Sequence, residues 1–547
     1  MLEQPWWRGA VIYQIYPRSF MDANNDGIGD LRGIIQKLPY IKSLGVDAIW
    51  ISPFFKSPMK DFGYDISDYR DVDPMFGTMD DFDDLMAEAK QKDIKVVIDQ
   101  VLSHTSDQHE WFIESKSSRT NPKADWYVWA DAKPDGSPPN NWLSIFGGVA
   151  WQWEPRRQQY YLHNFLTEQP DLNFHNPEVR QHVLDNVEYW LKKGVDGFRL
   201  DAINFCFHDA QLRDNPAKPE NERKGRGFSE DNPYAYQYHY FNNTQPENVS
   251  FMEDIRALMD KYPGVVTLGE ISSEDSLLTM AQYTKGNKRL HMAYSFELLT
   301  EDSSPKYIRQ TIEELEANLS DGWPCWAIGN HDVQRVATRW NKVDKTKANP
   351  AQVKMFNAML SSLRGSVCSY QGEELGLVEA DIPFELLQDP YGITFWPNFK
   401  GRDGCRTPMP WTNEAAKGGF SAADSTWLPV VEPHINQAVS TQENDSDSML
   451  NHYRAFLAWR KEQPTLRYGD IEFLEASDEL LVFVRTYEGQ ATLAAFNFST
   501  ETQQYHIAHN LKLEALNVPG FDVAKLTGSE LMLAPFQAAY FRSSLID

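Results

Sequence analysis

VRQHVLDNVEYWLKKG at 179–194, running through VD into GFRLDA at 197–202, is the stretch on which the fold turns. Val179, Val183, Val187, Trp190 and Leu191 recur at helical spacing, and Gly194 supplies an exit from the helix. The strand that follows alternates: Phe198 and Leu200 share one face, Arg199 and Asp201 the other. With the apolar pair against a helical layer, a guanidinium and a carboxylate point into a barrel, which is tolerable only near its open end, where they can pair or meet a ligand. Two more stretches, IIQKLPYIKSLG at 34–45 and MDDFDDLMAEAKQKD at 79–93, carry the same helical pattern. Short β-branched or aromatic runs recur at Val11–Tyr16, Ala48–Ser52, Lys95–Val101, Gly197–Asp201, Val265–Ile271, Leu290–Phe296, Trp326–Asn330 and Val367–Gln371. Strand and helix alternating in this way predict an α/β fold, a (β/α)8 barrel.

Three stretches break the rhythm, and each follows a predicted strand C-terminus, where such barrels build their sites. Residues 105–172 are too long for a simple connection and predict an inserted subdomain; residues 208–250 and 376–445 are polar excursions rich in Pro and Gly. From 466 onward strands alternate without helices (IEFLEA, LLVFVRTY, ATLAAFNFS, QQYHIA, LMLAPFQAAYFRS), which predicts a C-terminal antiparallel β-sandwich over 466–547. The barrel domain then comprises 1–104 and 173–465.

Composition narrows the function classes. A chain of 547 residues exceeds what one small module needs, and a net charge of -26 repels a phosphate backbone or an anionic lipid surface. No apolar run is long enough to span a membrane, and the N-terminus lacks the pattern of a signal peptide. The four cysteines form no C-x-x-C pair, so reduced thiols in a cytoplasm are the expectation.

Chemistry gathers at strand ends. GFRLDA offers Arg199 and Asp201, VVTLGEIS offers Glu270, IGNHDVQR offers His331 and Asp332, and DQVLSH offers Asp99 and His104. A lone strand-end acid or histidine is ordinarily a satisfied structural group; four strands delivering such ends to one mouth point to acid–base and nucleophilic chemistry. These strings in this order, with QPDLNF at 169–174, resemble the conserved regions of glycoside hydrolase family 13, the α-amylase family. Within it the chain is similar to the α-glucosidase and oligo-1,6-glucosidase subfamily, from YQIYPRSF at 13–20 to the β domain.

The resemblance implies Asp201 as nucleophile, Glu270 as general acid and base, and Asp332 as the third carboxylate on the distorted sugar. It further implies that Arg199 orients Asp201, that His104 and His331 bind hydroxyls of the nonreducing-end glucose, and that Asp61 and Tyr64 of DFGYD line the pocket with Arg406 of GRDGCRTPMPW. Attack by one carboxylate with protonation by the other, at a separation of about 5–5.5 Å, gives net retention. Like charges are expected to raise the proton affinity of Glu270, and Arg199 to keep Asp201 ionised. Phe205 and Phe207 are candidates for the +1 side, and Trp151 and Trp153 for sugar stacking.

In the resembling subfamily, Val after the nucleophile accompanies α-1,6 preference and Ala or Thr accompanies α-1,4; here that residue is Ala202. The expected activity is therefore exo-hydrolysis of terminal α-1,4-glucose from maltose, short oligosaccharides and aryl α-glucosides, with transglucosylation and sucrose as a further substrate. An oligo-1,6-glucosidase and a sucrose-acting glucosyltransferase or isomerase of the same family are the alternatives. A noncatalytic scaffold on this fold would be expected to lack a carboxylate that this chain keeps.

DANNDGIGD at 22–30 alternates Asp22, Asn24, Asp26 and Asp30 with glycines that permit a tight loop, a hard-oxygen set for Ca2+ or Mg2+. It begins like an EF-hand loop, but Gly33 stands where the bidentate Glu belongs. The resemblance adds the Ile28 carbonyl as a ligand. A structural metal and no organic cofactor are expected, while spacing alone also permits an Asx-rich turn.

Overall fold

The computed structural model describes residues 4–223, 231–507 and 511–545. Eight strands run in parallel: β1 (Val11–Ile15), β2 (Ala48–Ile51), β3 (Lys95–Val101), β4 (Gly197–Asp201), β5 (Val266–Ile271), β6 (Met292–Ser295), β7 (Cys325–Trp326) and β8 (Ser366–Tyr370). They pair in the order β6-β5-β4-β3-β2-β1-β8-β7, and a parallel bridge between Ala293 and Pro324 joins β6 to β7 and closes the barrel.

Local chemistry explains the surrounding helices. Asp30 caps Leu31–Leu44 by accepting from Gly33 N–H, and Gly45, at φ 82°, ends that helix in the left-handed conformation. Thr78 and Asp81 form a capping box at the start of Met79–Gln91. Asn176 caps Pro177–Lys192, with proline at the first helical position. The alternation read in GFRLDA holds: Phe198 and Leu200 belong to the apolar layer between strands and helices. A second apolar cluster, including Trp50, Leu268, Met292 and Tyr294, fills the barrel interior.

β7 is shorter than predicted. It leaves the ladder after Trp326, and the predicted strand end at 327–330 becomes the turn that presents His331 and Asp332. The insertion after β3 carries a three-stranded antiparallel sheet (Trp129–Ala130, Trp151–Glu154, Gln159–Leu162), and bridges His104–Asp171 and Tyr127–Leu172 mark where the chain departs and returns. The excursion at 208–250 includes residues 224–230, which lie outside the described residues.

The C-terminal region has two antiparallel sheets. Asp470–Phe473, Leu480–Tyr487, Gln490–Asn497, Ala538–Leu545 and Leu511–Ala515 make one in that order; Gln503–His506, Glu530–Leu533 and Lys525–Thr527 make the other. LMLAPFQAAYFRS, read as one strand, is two in different sheets. Pro535 cannot donate to a ladder, and Phe536 takes a left-handed φ of 54°, so the chain turns there from one sheet to the other. Short Leu511–Ala515 and Lys525–Thr527 escaped the sequence reading. Among the described residues no helix is long and apolar enough to cross a membrane.

Candidate active site

At the C-terminal mouth of the barrel lies a cavity of about 810 Å³, counted to its open side. Asp61, Tyr64, His104, Asp201, Ala202, Phe205, Glu270, His331 and Asp332 line it as expected, whereas Arg199 and Arg406 do not. Strand register explains why the reactive groups meet. Asp99 on β3 pairs with Arg199 on β4, and Val101 with Asp201; Glu270 on β5 pairs with Tyr294 on β6. One fully buried guanidinium therefore serves three carboxylates. Arg199 Nη1 donates to Asp99 Oδ1 at 2.9 Å and to Asp201 Oδ1 at 2.6 Å, and Arg199 Nη2 stands 2.5 Å from Glu270 Oε1. Glu270 Oε2 accepts from Ala202 N–H at 2.9 Å, and the Tyr294 hydroxyl donates to Oε1 at 3.2 Å. Trp50 and Tyr64 both donate to Asp99 Oδ2.

Ala202 adopts φ 40°, ψ 46°, a left-handed conformation uncommon for a residue with a side chain. That turn directs its N–H at Glu270, so the strain sits where it orients the candidate acid.

Three carboxylates against one guanidinium leave the cluster short of positive charge, and burial penalises every ionised form. Burial pushes Glu270 up to about 8, with Asp201 and Asp332 adding to Arg199's incomplete compensation. Asp201 is pushed up to about 7, also chiefly by burial, and Asp99 to about 6. Arg199 therefore does not by itself keep Asp201 in the ordinary carboxylate range, because its charge is shared three ways. Glu270 and Asp201 are both raised, and as neighbours around one guanidinium they titrate as a coupled pair.

Asp332 goes the other way. Burial opposes its ionisation, but the guanidiniums of Arg402 and Arg406 outweigh it and hold it below the carboxylate range. Arg402 Nη1 and Arg406 Nη2 both reach Asp332 Oδ1, at 3.2 and 3.1 Å. His331 is itself driven far toward neutrality by burial. Gln14 Nε2 donates to its Nδ1 at 2.7 Å, which leaves the proton on Nε2, 3.4 Å from Asp332 Oδ2. Burial lowers His104 to about 4, so it is neutral; its Nε2 lies 2.9 Å from the Tyr64 carbonyl.

Arg402, which the sequence reading did not single out, lines the cavity where Arg406 was expected. Arg406 is buried behind the wall, donating through Nε to the His331 carbonyl at 2.7 Å, while Arg402 lines the cavity and pairs with Asp61 at 3.0 Å. GRDGCR offers two arginines four residues apart, and only the fold shows which one Asp389 turns inward, through bonds from Nε and Nη2 at 2.9 Å. Sequence reasoning also missed the roof residues Phe146, Phe165, Phe296 and Tyr391, which lie outside any string of chemical groups.

The tryptophan candidates are not at the cavity. Trp151 is buried within the subdomain against Trp142 and donates to Asn140 Oδ1 at 2.7 Å; Trp153 packs on Tyr160. Phe205 lines the cavity, whereas Phe207 packs on Phe174.

The 22–30 loop is tied by its own backbone. Asp22 accepts from Asn25 and Gly27 N–H, Asn24 from Asp26, and Asp26 from Ile28. Asp30 accepts from Ala23 and, as the helix cap, from Gly33. Donor type and spacing fit a hard cation that would draw on an amide and a backbone carbonyl beside the carboxylates; among the described residues no three His, Cys, Asp or Glu side chains gather as a metal cluster.

Comparison with known proteins follows this geometry. The family model described as alpha amylase, catalytic domain, matches residues 14–469. A probable alpha-glucosidase of Rhizobium meliloti (strain 1021) is 53% identical over 542 residues, 99% of this chain and 97% of that protein. An oligo-1,6-glucosidase of Parageobacillus thermoglucosidasius is 35% identical over 582 residues, covering all of both chains. Among solved structures, the alpha-glucosyl transfer enzyme XgtA superposes with a TM-score of 0.97 at 63% identity over 99% of this chain and 100% of its own. The trehalulose synthase MutB from Pseudomonas mesoacidophila MX-45 gives 0.89 at 32% identity over 99% of this chain and 100% of its own. With a catalytic-domain model spanning most of its length and relatives alike from end to end, the chain belongs to the α-amylase family.

Proposed function

We propose that the protein is a retaining, exo-acting α-glucosidase that removes terminal α-1,4-linked glucose from maltose, short oligosaccharides and aryl α-glucosides. One observation carries this reading: Asp201 and Glu270 share a single guanidinium, while Asp332 beside them is held ionised by two others. A compact carboxylate pair that shares one proton beside a fixed anion is what double displacement needs.

Arg199 occupies Asp201 Oδ1, so Oδ2 is the attacking oxygen. It bonds to C1 as Glu270 gives its proton to the departing glycosidic oxygen, which leaves with the bonding pair. Water then attacks C1, Glu270 takes its proton, and the C1–Oδ2 pair returns to Asp201. Asp332, kept anionic, stabilises the positive charge that develops on the ring. The Arg402–Asp61 pair across the wall, with Arg402 also under Phe146, supports a short pocket for one terminal sugar. Transfer to an alcohol in place of water is supported by the apolar roof and by the likeness to XgtA.

Incubation with maltose, isomaltose, trehalose and sucrose in parallel, with the anomer followed by NMR, tests this. α-Glucose as first product and a higher kcat/KM on maltose than on isomaltose are expected; β-glucose first, or isomaltose preferred, overturns the corresponding claim. Ala202→Val is expected to raise the isomaltose-to-maltose ratio of kcat/KM by roughly 10-fold, within the range a methyl-scale change can supply. The same variant lowers Tm, since a β-branched residue is strained at φ 40°.

The Asp22–Asp30 loop is proposed to take Ca2+ or Mg2+ through Asp22, Asn24, Asp26, Asp30 and the Ile28 carbonyl, far from the chemistry. Its hard oxygens support this, each with lone pairs beyond those used by the backbone. Either ion added after chelation is expected to raise Tm, and Asp22→Ala to abolish that response. A cytoplasmic setting is supported by four buried free cysteines, two of which, Cys325 and Cys368, hold their sulfurs 3.6 Å apart without a bond.

A further inference from the structure

Asn232 lies on the excursion after β4, is fully buried, and does not line the catalytic cavity. Its side chain nevertheless joins that excursion to the two others, both of which line the cavity. Nδ2 donates to the Ile145 carbonyl of the inserted subdomain at 2.8 Å and to the Tyr391 hydroxyl of the excursion after β8 at 3.0 Å. Oδ1 accepts from Tyr234 N–H of its own excursion at 3.1 Å. Both amide hydrogens and the carbonyl are thus used, an arrangement neither Asp nor Ala reproduces.

Two of these partners, Ile145 and Tyr391, form cavity wall. Tyr391 in turn meets Phe146 edge-on, with ring centroids 5.3 Å apart, and Phe146 lies 5.0 Å over the Arg402 guanidinium. The reacting carboxylates stand on barrel strands and owe their geometry to register; the apolar roof owes its geometry to these cross-links.

We infer that Asn232 is a positioning residue that holds Ile145 and Tyr391 in place in the cavity wall around the glucosyl-enzyme and so favours an alcohol over water as acceptor. The inference rests on the double-displacement reading above. In the partitioning step the acceptor oxygen bonds to C1, its proton passes to Glu270, and the C1–Oδ2 bond to Asp201 breaks, the pair returning to the carboxylate. Water and alcohol follow the same course, so access decides between them. A loosened roof admits water without altering attack by Asp201.

The test compares Asn232→Ala with wild type on 4-nitrophenyl α-glucoside at fixed concentration of a small alcohol, reading nitrophenol release, glucose and alkyl glucoside. Three hydrogen bonds are lost, and a net effect worth about one of them is expected in partitioning, a transfer-to-hydrolysis ratio lowered on the order of 5- to 10-fold. Nitrophenol kcat/KM stays within about 3-fold, because the barrel residues are untouched. Tyr391→Phe removes only the phenol oxygen that Asn232 reaches. It is expected to shift the ratio in the same direction and decides the matter should Asn232→Ala not fold. An unchanged ratio, or equal loss in formation and partitioning, overturns the inference, as does a wild type that hydrolyses but transfers nothing. A wild type that releases no nitrophenol fails the α-glucosidase reading instead, so the two failures are distinct.

Discussion

Asp201→Asn is expected to lower kcat/KM on maltose and on aryl α-glucosides by on the order of 10⁴-fold or more, the scale seen when a nucleophile is removed from a unit whose members act together. The substitution keeps shape and hydrogen bonding but removes the oxygen that bonds to C1. Stability should move the other way. Burial pushes Asp201 up to about 7, so its ionised form is costly in the folded state, and a neutral amide escapes that cost. Dead enzyme with an unchanged or raised Tm is the expected pair of results; a variant that is inactive because it melts early contradicts the assignment. Mass spectrometry offers a direct check. A 5-fluoro-α-glucosyl fluoride should label the peptide carrying Asp201 in the wild type and leave the Asn variant unlabelled. Label found on Glu270 would reverse the two roles.

Glu270→Gln divides the reaction by leaving group. On maltose, whose departing hydroxyl needs a proton, kcat/KM should fall roughly 10²- to 10⁴-fold, the contribution of positioned acid catalysis. On α-glucosyl fluoride the first step should survive. The pH profile gives the sign. Glu270 acts as acid only while protonated, and burial pushes it up to about 8, so wild-type activity is lost as pH rises through that region. Asp201 attacks only when ionised, so activity is also lost as pH falls through about 7. The bell is narrow, and its limbs belong to the coupled cluster rather than to either residue alone. Glu270→Gln, assayed with the fluoride, should lose the alkaline limb and keep the acid one; persistence of the alkaline limb would count against Glu270 as the acid. Stability follows the same linkage. A carboxyl raised in the fold binds a proton that the unfolded chain has released, so wild-type stability declines as pH rises from the ordinary carboxylate range through about 8. The Gln variant should show a smaller decline, because Glu270's share is removed while Asp201 and Asp99 keep theirs.

Arg199 shows how a role legible in sequence acquires a different energetic meaning in three dimensions. Period-two alternation placed it on the face of Asp201, but register against β3 and β5 makes it the shared counter-ion of Asp99 and Glu270 as well. Its charge is divided, and burial then dominates. Asp332 presents the reverse case. Nothing in IGNHDVQR announces two arginines from a segment some seventy residues later, yet Arg402 and Arg406 set its charge state. That Arg402 rather than Arg406 lines the cavity has the same origin, since which guanidinium faces it depends on Asp389 and Asp61.

The α/β barrel, the inserted subdomain, the terminal β domain and the carboxylates at strand ends are legible in the order of residues alone. Periodicity is a local property: alternation every two residues sorts a strand's faces, and a spacing near four sorts a helix's, whatever lies beyond them. Which oxygen meets which nitrogen is set by the packing of distant segments. The charge sharing around Arg199, the inward arginine, the aromatic wall and the cross-links of Asn232 each depend on residues brought together across tens to hundreds of positions, over distances where a fraction of an ångström separates a hydrogen bond from a gap. The split of LMLAPFQAAYFRS is a smaller instance, because β-propensity runs through Pro535 and Phe536 while the ladder cannot.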